Sequence, residues 1–277
     1  MRTSDRVAAA LAMAAVATVA LLAGGCSPEP TTKTPPRPAV EPPPTGGAFD
    51  YQITEGYPPA DGVRVVARDR RDRPAPGAYS ICYVNAFQAQ PDELAWWRRN
   101  HPDLLLRDEQ GSLVIDRDWD EALLDLSTAA KRGRVATVVG GWTDGCASNG
   151  FQAVEFDNLD SYSRSGGRLT QEHAADMARL LVRRAHLRGL AAAQKNTVEL
   201  LDRRSRIGFD FAVVEDCARY RECGAYLDAY PGRVLDVEYR TVDFRRACDT
   251  WGERLAVVQR DLAVSTPGDP GYVHRSC

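Results

Sequence analysis

The chain has 277 residues, 44% hydrophobic and 26% charged, with 35 basic against 38 acidic side chains and a formal net charge of −3. A mildly acidic balance with no Lys/Arg patch interleaved with aromatics argues against a nucleic-acid partner. The hydrophobic share is that of a folded domain, which excludes a wholly disordered chain.

Residues 1–25 open with Arg2 and Arg6 and continue as an uncharged, Ala-rich run from residue 7 to residue 25. A basic start followed by an apolar stretch is the pattern of a secretory signal peptide. The run ends Leu22-Ala23-Gly24-Gly25-Cys26, which resembles a bacterial lipobox with Cys26 as the lipidated first mature residue. The expectation is a lipoprotein on the outside of the bacterial cell membrane. Simple secretion and a retained membrane span are the alternatives. Residues 26–47 follow as a tether, since 27–47 carry eight prolines and no hydrophobic periodicity. Such a segment buries too little apolar surface to offset its ordering entropy. The folded body is then residues 48–277, one domain in length.

Along the body, short β-rich runs alternate with helical patterns. Eight strands are predicted, at Phe49–Ile53, Val63–Ala67, Ala78–Val84, Ala153–Asp157, Leu190–Lys195, Phe211–Glu215, Val234–Tyr239 and Leu255–Arg260. Helices are predicted over Pro91–Asn100, Trp119–Arg132, Thr170–Arg188 and Thr197–Arg206. The second has apolar residues at 119, 122, 123, 126 and 130, close to a 3.6-residue period. The third opens on the N-cap signal Thr170-Gln171-Glu172-His173 and stops at Gly189. Residues 101–118 read as a hairpin turned by Glu109-Gln110-Gly111, inserted beside the mouth of the fold. The glycine-rich stretch 133–150 is ambiguous between a loop and a path into the fourth strand. Eight strands in βα alternation, with no phosphate-binding glycine motif after any of them, favour a (β/α)8 TIM barrel over an open sheet.

Seven cysteines are present. If Cys26 carries lipid, six remain for disulfides. Cys217 and Cys223 close a short loop and are paired first; Cys248 with Cys277 pins the C-terminus, leaving Cys82 with Cys146. Four histidines and no HxH, HExxH or CxxC spacing speak against a metal site.

In a TIM barrel the reacting groups stand where strands end. Here those ends are rich in acids and amides: Asp50, Tyr51 and Gln52; Tyr83 and Asn85; Glu155, Asp157, Asn158 and Asp160; Gln194, Lys195 and Asn196; Glu215 and Asp216; Glu238 and Tyr239; Arg260. One acid of this set is a structural ion pair as readily as a catalyst, but the whole set marks a polar pocket. Acids without metal, cofactor, GxSxG serine or a Cys–His pair match glycosidic cleavage, where one carboxyl donates a proton and another acts at the anomeric carbon. Lys195 would also serve a Schiff-base aldolase or lyase.

The motifs Phe49-Asp50-Tyr51-Gln52, Cys82-Tyr83-Val84-Asn85-Ala86, Leu104-Leu105-Leu106, Trp119, Glu155-Phe156-Asp157-Asn158-Leu159-Asp160, Ala193-Gln194-Lys195-Asn196, Gly208-Phe209-Asp210-Phe211 with Glu215, and Glu238-Tyr239 resemble those of the endo-α-1,4-polygalactosaminidases, glycoside hydrolase family 114. The resemblance spans about residues 49–277. It implies a TIM barrel, an α-1,4-linked galactosamine polymer as substrate, and Asp157 and Glu215 as the catalytic acids; no cofactor is expected from the residues themselves. The remaining strand-end residues are then expected to bind substrate, with Trp119 a candidate subsite aromatic or a helix-packing residue. An acidic cleft would attract the ammonium groups of such a polymer. A monomer is expected. The rival from another class is a catalytically silent surface lipoprotein that binds an amino-sugar polysaccharide.

Overall fold

The computed structural model describes residues 39–277. The expected leader at 1–25, the expected lipid site Cys26 and the first part of the expected tether lie outside the described residues. Eight parallel strands form the sheet: β1 Ala48–Gln52, β2 Val63–Asp69, β3 Tyr79–Asn85, β4 Ala153–Asp157, β5 Ala191–Lys195, β6 Phe211–Glu215, β7 Val234–Glu238 and β8 Ala256–Arg260. They follow one another around the sheet in chain order, and β8 comes back beside β1. A ninth strand, β9 His274–Ser276, runs antiparallel along β8 at this seam. The result is a nearly closed (β/α)8 barrel, and all eight predicted strands are present within two residues of their expected ends.

Period-two alternation sorts every strand into two faces. Phe49, Tyr51, Val65, Ala67, Ile81, Ala153, Ala191, Ala193, Phe211, Val213, Leu235, Val237 and Val258 fill the barrel interior. The alanines of β4 and β5 make room for the rings of Phe49, Tyr51 and Phe211. Val84, Val154, Phe156, Ala192, Ala212 and Val214 point the other way, into the layer shared with the helices.

The predicted helix at 119–132 is not formed. Residues 121–123 are instead a strand, joined to Gln88–Ala89 and Ile115–Asp116 in a small antiparallel sheet. The expected hairpin insertion at 101–118 belongs to this unit, its turn closed by Asp108 and Ser112. After the short α1 Leu94–Asn100, the helix that covers this side is α2 Ala129–Asn149. Four glycines and a run of β-branched residues disguise it, yet Val135, Val139, Thr143 and Cys146 recur on one buried face. Thr128 caps its start, its side chain accepting from Lys131 N, and Gly150 ends it at φ 93°. Gly140 lets the Arg184 stem of α3 Gln171–Leu187 lie close against it. The helix α3 is formed as predicted, with Thr170 as its cap; the segment 197–206 becomes a 3-10 turn, Val198–Arg203, followed by α4 Arg204–Ile207. Three further helices are α5 Cys217–Tyr220, α6 Cys223–Ala229 and α7 Thr241–Trp251.

The three expected disulfides are all present: Cys82–Cys146 ties β3 to α2, Cys217–Cys223 joins α5 to α6, and Cys248–Cys277 fixes the C-terminus to α7. The last residues assigned to the tether rest on the barrel. Val40 packs against the interior cluster, and the Glu41 carbonyl accepts from Tyr79 Oη at 2.6 Å.

Candidate active site

At the C-terminal ends of the strands lies a cleft of about 440 Å³. The inward parity of β3 to β7, carried one step past the apolar interior, aims Tyr83, Glu155, Asp157, Lys195, Glu215 and Tyr239 at one point. Lys195 is at its centre, 1% exposed. Its Nζ lies 3.0 Å from Glu155 Oε1 and 3.4 Å from both Asp157 Oδ1 and Glu215 Oε2. It also donates to Tyr51 Oη at 2.9 Å, and Tyr51 in turn donates to Glu155 at 2.8 Å. Tyr51 and Glu155 are thus the buried floor of the site.

Three donors meet Asp157. Tyr83 Oη donates to Oδ2 at 2.6 Å, Asn158 N to Oδ1 at 2.7 Å, and the Lys195 ammonium stands behind. Burial alone would raise its pKa, but Lys195, Tyr83 and the Asn158 amide outweigh burial and hold the carboxyl below the usual range. Glu155, sealed under it, is pushed up to about 7 by burial, against the pull of Lys195. Lys195 is the converse case. Burial disfavours its charge, yet Asp157, Glu215 and Glu155 raise its pKa well above the ordinary value, so it stays an ammonium.

Glu215 is the more open acid, its side chain 25% exposed. Tyr239 Oη donates to Oε1 and Asn196 Nδ2 to Oε2 at 3.2 Å, while Asn196 Oδ1 accepts from Glu215 N at 2.8 Å. Burial raises the Tyr83 and Tyr239 hydroxyls well above their ordinary pKa, so both remain donors to these acids.

The backbone at these strand ends is left-handed at non-glycine residues: Asn158 at φ 65°, Asn196 at 45°, Thr197 at 61° and Asp216 at 55°. Each costs energy, least for Asn and Asp, whose short side chains tolerate the region. The turns are held by the neighbouring strands, Asn196 N donating to Val213 O and Asp216 N to Val237 O.

Of the predicted site residues, Tyr83, Asp157, Asn158, Asp160, Lys195, Asn196, Glu215 and Tyr239 line the cleft. Asn85 stands behind Asn158, bonded to it at 3.1 Å. Five others do not reach it. Gln194 and Glu238 have the opposite parity to Lys195 and Tyr239 and point into the helix layer. Gln194 binds Tyr230 Oη there, and Glu238 accepts from Ala218 N. Asp50 and Gln52 likewise face away from the Tyr51 side. Arg260 has inward parity but spends its guanidinium at the β8–β1 seam, on Asp50 and on the Val273 and Ser265 carbonyls. Asp216, counted among the cleft acids, is instead paired with Arg219 at 2.9 Å.

Sequence reasoning missed Glu121 and Arg164, and placed Trp119 on a helix that does not exist. All three line the cleft, and Trp119 is 58% exposed. Trp119 stands in the turn before the short strand Glu121–Leu123, and the competing helical period masked that turn. A larger cavity, about 640 Å³, opens at the opposite end between Pro43, Leu227, Arg233 and Leu255. It gathers no comparable set of converging acids, so the strand C-terminal end is the reactive one.

The geometry therefore offers two carboxyls on either side of a buried ammonium, each with a tyrosine donor, in an open cleft. That is the equipment of acid–base glycoside cleavage. No curated protein matches the chain in sequence. The Ega3 structure from Aspergillus fumigatus, a complex with galactosamine, superimposes with a TM-score of 0.69 at 21% identity, covering 86% of this chain and 98% of that one. The glycoside hydrolase domain of PelA from Pseudomonas aeruginosa gives 0.61 at 17% identity, over 83% and 99%. A GH36 α-galactosidase from Geobacillus stearothermophilus gives 0.51 at 12%, over 80% and 40%. These likenesses share the barrel fold. The sequence profile of the glycoside-hydrolase family GH114 matches residues 29–277, so the chain belongs to that family and is a glycoside hydrolase.

Proposed function

We propose that this enzyme cleaves α-1,4-linked galactosamine polymers at internal bonds, with Asp157 as nucleophile and Glu215 as proton donor. The observation that carries the reading is Lys195 held between the two acids. Asp157, with three donors, is kept ionised for attack on the anomeric carbon. Glu215, more open and opposite, protonates the glycosidic oxygen as the C–O bond breaks. The sugar is then esterified to Asp157. Glu215, now ionised, takes a proton from water, whose oxygen displaces Asp157 and restores both groups.

The acid pair is assigned the retaining course. The two oxygens that share Lys195 Nζ, each at 3.4 Å, lie at most twice that distance apart. An upper bound of this size on one oxygen of each acid is compatible with the ~5–5.5 Å of a retaining pair. The substrate class is supported by the acidic cleft, by the family, and by the galactosamine that accompanies Ega3. Trp119 and Leu262 both line the cleft and are exposed, which suits an open groove for a chain passing through, as endo cleavage needs. Incubation with purified galactosaminan, read by mass spectrometry and by anomeric proton resonances, is the test. A ladder of oligomers whose new ends are initially α supports the reading. Bound but uncut polymer would make the protein a binding lipoprotein, and initial β ends would make the pair inverting.

The protein is further proposed to be exported and lipid-anchored at Cys26. The leader pattern and the three disulfides, bonds that persist in oxidising compartments, support this.

A further inference from the structure

The charges of the cleft do not balance, and the imbalance has a location. Lys195 serves Glu155, Asp157 and Glu215. Arg164 serves Asp116 through Nε at 2.6 Å and Asp160 through both terminal nitrogens at 2.7 and 2.8 Å. Glu121 makes no ion pair with any of the described residues; Arg164, committed to Asp116 and Asp160, offsets its charge only from a distance. Its Oε2 accepts from two neutral amides, Asn85 Nδ2 at 2.8 Å and Asn158 Nδ2 at 3.2 Å. Its Oε1 accepts nothing from the described residues. The residue is 8% exposed, and what exposure it has is on the cleft, which it lines next to Asp157.

A carboxylate nine-tenths buried without a counter-charge is costly. Burial first, then the like charges of Asp157 and Asp116, push its pKa up to about 7 against the opposing pull of the Asn85 hydrogen bond and the more distant Arg164. The cost is met locally by structure with no other evident use. Asp120, next to it, is at φ 55°, and the turn it makes presents Trp119 and Glu121 together on the cleft wall. An exposed indole beside an unpaired acid matches one ligand chemistry: a sugar ring with an apolar face for the indole and an amine for the acid.

We propose that Glu121 binds the free ammonium of the sugar seated beside Asp157 and so selects de-N-acetylated over N-acetylated substrate, an inference that rests on the amino-sugar reading above. An ammonium supplies the missing counter-charge. An acetamide in the same place is neutral, bulkier and unable to compensate the acid, leaving Glu121 desolvated and unpaired. Discrimination of this kind is strong because the wrong ligand strands a buried polar group.

The test uses the mature protein carrying Glu215→Gln, which holds substrate without turning it over, with and without Glu121→Gln. The amide introduced by the second change would keep an oxygen for Asn85 and Asn158 but lose the charge. Binding of galactosamine and of N-acetylgalactosamine oligomers of equal length is measured by calorimetry. The expected result is at least a 10-fold loss for the galactosamine oligomer on Glu121→Gln, about 1.4 kcal/mol or more, with the N-acetylated one changed less than about 2-fold. Equal losses for both would reduce Glu121 to a structural support, and no loss for either would remove it from recognition; both overturn the proposal. Failure of both oligomers to bind at all would also overturn it. The hydrolase reading fails separately: the unmutated enzyme would leave polymer uncut while the oligomer preference stayed.

Discussion

Asp157 and Glu215 face one another across a single ammonium, Lys195 Nζ, which stands 3.4 Å from an oxygen of each. One cation shared by two acids lets their roles differ without separate machinery. Asp157 adds the Tyr83 hydroxyl and the Asn158 amide and is held ionised, whereas Glu215 faces solvent with Tyr239 and Asn196.

Asp157→Asn and Glu215→Gln keep shape and remove ionisation. Each is expected to lower kcat on galactosaminan by at least ~10²–10⁴-fold, with circular dichroism unchanged and oligomer binding largely kept. Reducing-end release measures it. Near-normal turnover in either variant would show that the pair has been assigned wrongly.

Lys195→Met tests the shared ammonium. With the cation gone, Asp157 keeps its burial but loses its largest stabiliser, so its pKa rises. The acid limb of the kcat/KM profile reports ionisation of this group, and it should move to higher pH in the variant. A limb that stays put or moves to lower pH would mean that Asp157 is not the titrating group. Because Lys195 is held as an ammonium, borohydride with a carbonyl substrate should trap no adduct, the opposite of what an aldolase would give.

Asp236 and Glu238 make a different prediction, on stability. They lie on the outer face of β7 beneath the Cys217–Cys223 disulfide, and neither oxygen of Asp236 has a hydrogen-bond partner. Burial, followed by the charge of Glu238, raises Asp236 well above the usual carboxylate range; burial also pushes Glu238 up to about 7. Both folded-state values are raised, so the folded chain keeps protons that the unfolded chain gives up. Stability then falls as pH climbs from the ordinary carboxylate range to about 7, and goes on falling above that for as long as the folded chain keeps the Asp236 proton. Asp236→Asn should therefore unfold at a higher temperature than the unmutated protein at pH 8, with the advantage shrinking towards pH 4. A constant difference across that range would contradict the account of two buried, proton-retaining carboxyls.

Cys26→Ala tests the anchor. The variant should be released from the bacterial membrane or left unprocessed, as read by fractionation and intact mass. Unchanged membrane retention of a processed chain would exclude lipid at Cys26.

Much was written in the linear pattern. Strand positions were legible because eight short apolar runs are bounded by glycines, caps and charges, and because parallel barrel strands have little freedom in length. Disulfide pairing was legible from spacing and the chain end. Asp157, Lys195 and Glu215 were legible because acids and amides at consecutive strand ends have no other economical place. What the sequence left open was which face each strand turns inward. Asp50 is next to Tyr51, Gln194 next to Lys195 and Glu238 next to Tyr239, and in each pair only the second faces the barrel interior or its cleft. Parity is fixed by packing of the whole interior, where Ala153, Ala191 and Ala193 accept the rings of Phe49, Tyr51 and Phe211. The same holds for residues 119–149. Local propensity put a helix over Trp119–Arg132 and doubted the glycine-rich run after it; contact with α3 and the Cys82–Cys146 link decide otherwise, because burial of Val135, Val139 and Cys146 outweighs the weak helical preference of Gly and Val. That decision is also what carries Glu121 and Trp119 to the cleft wall.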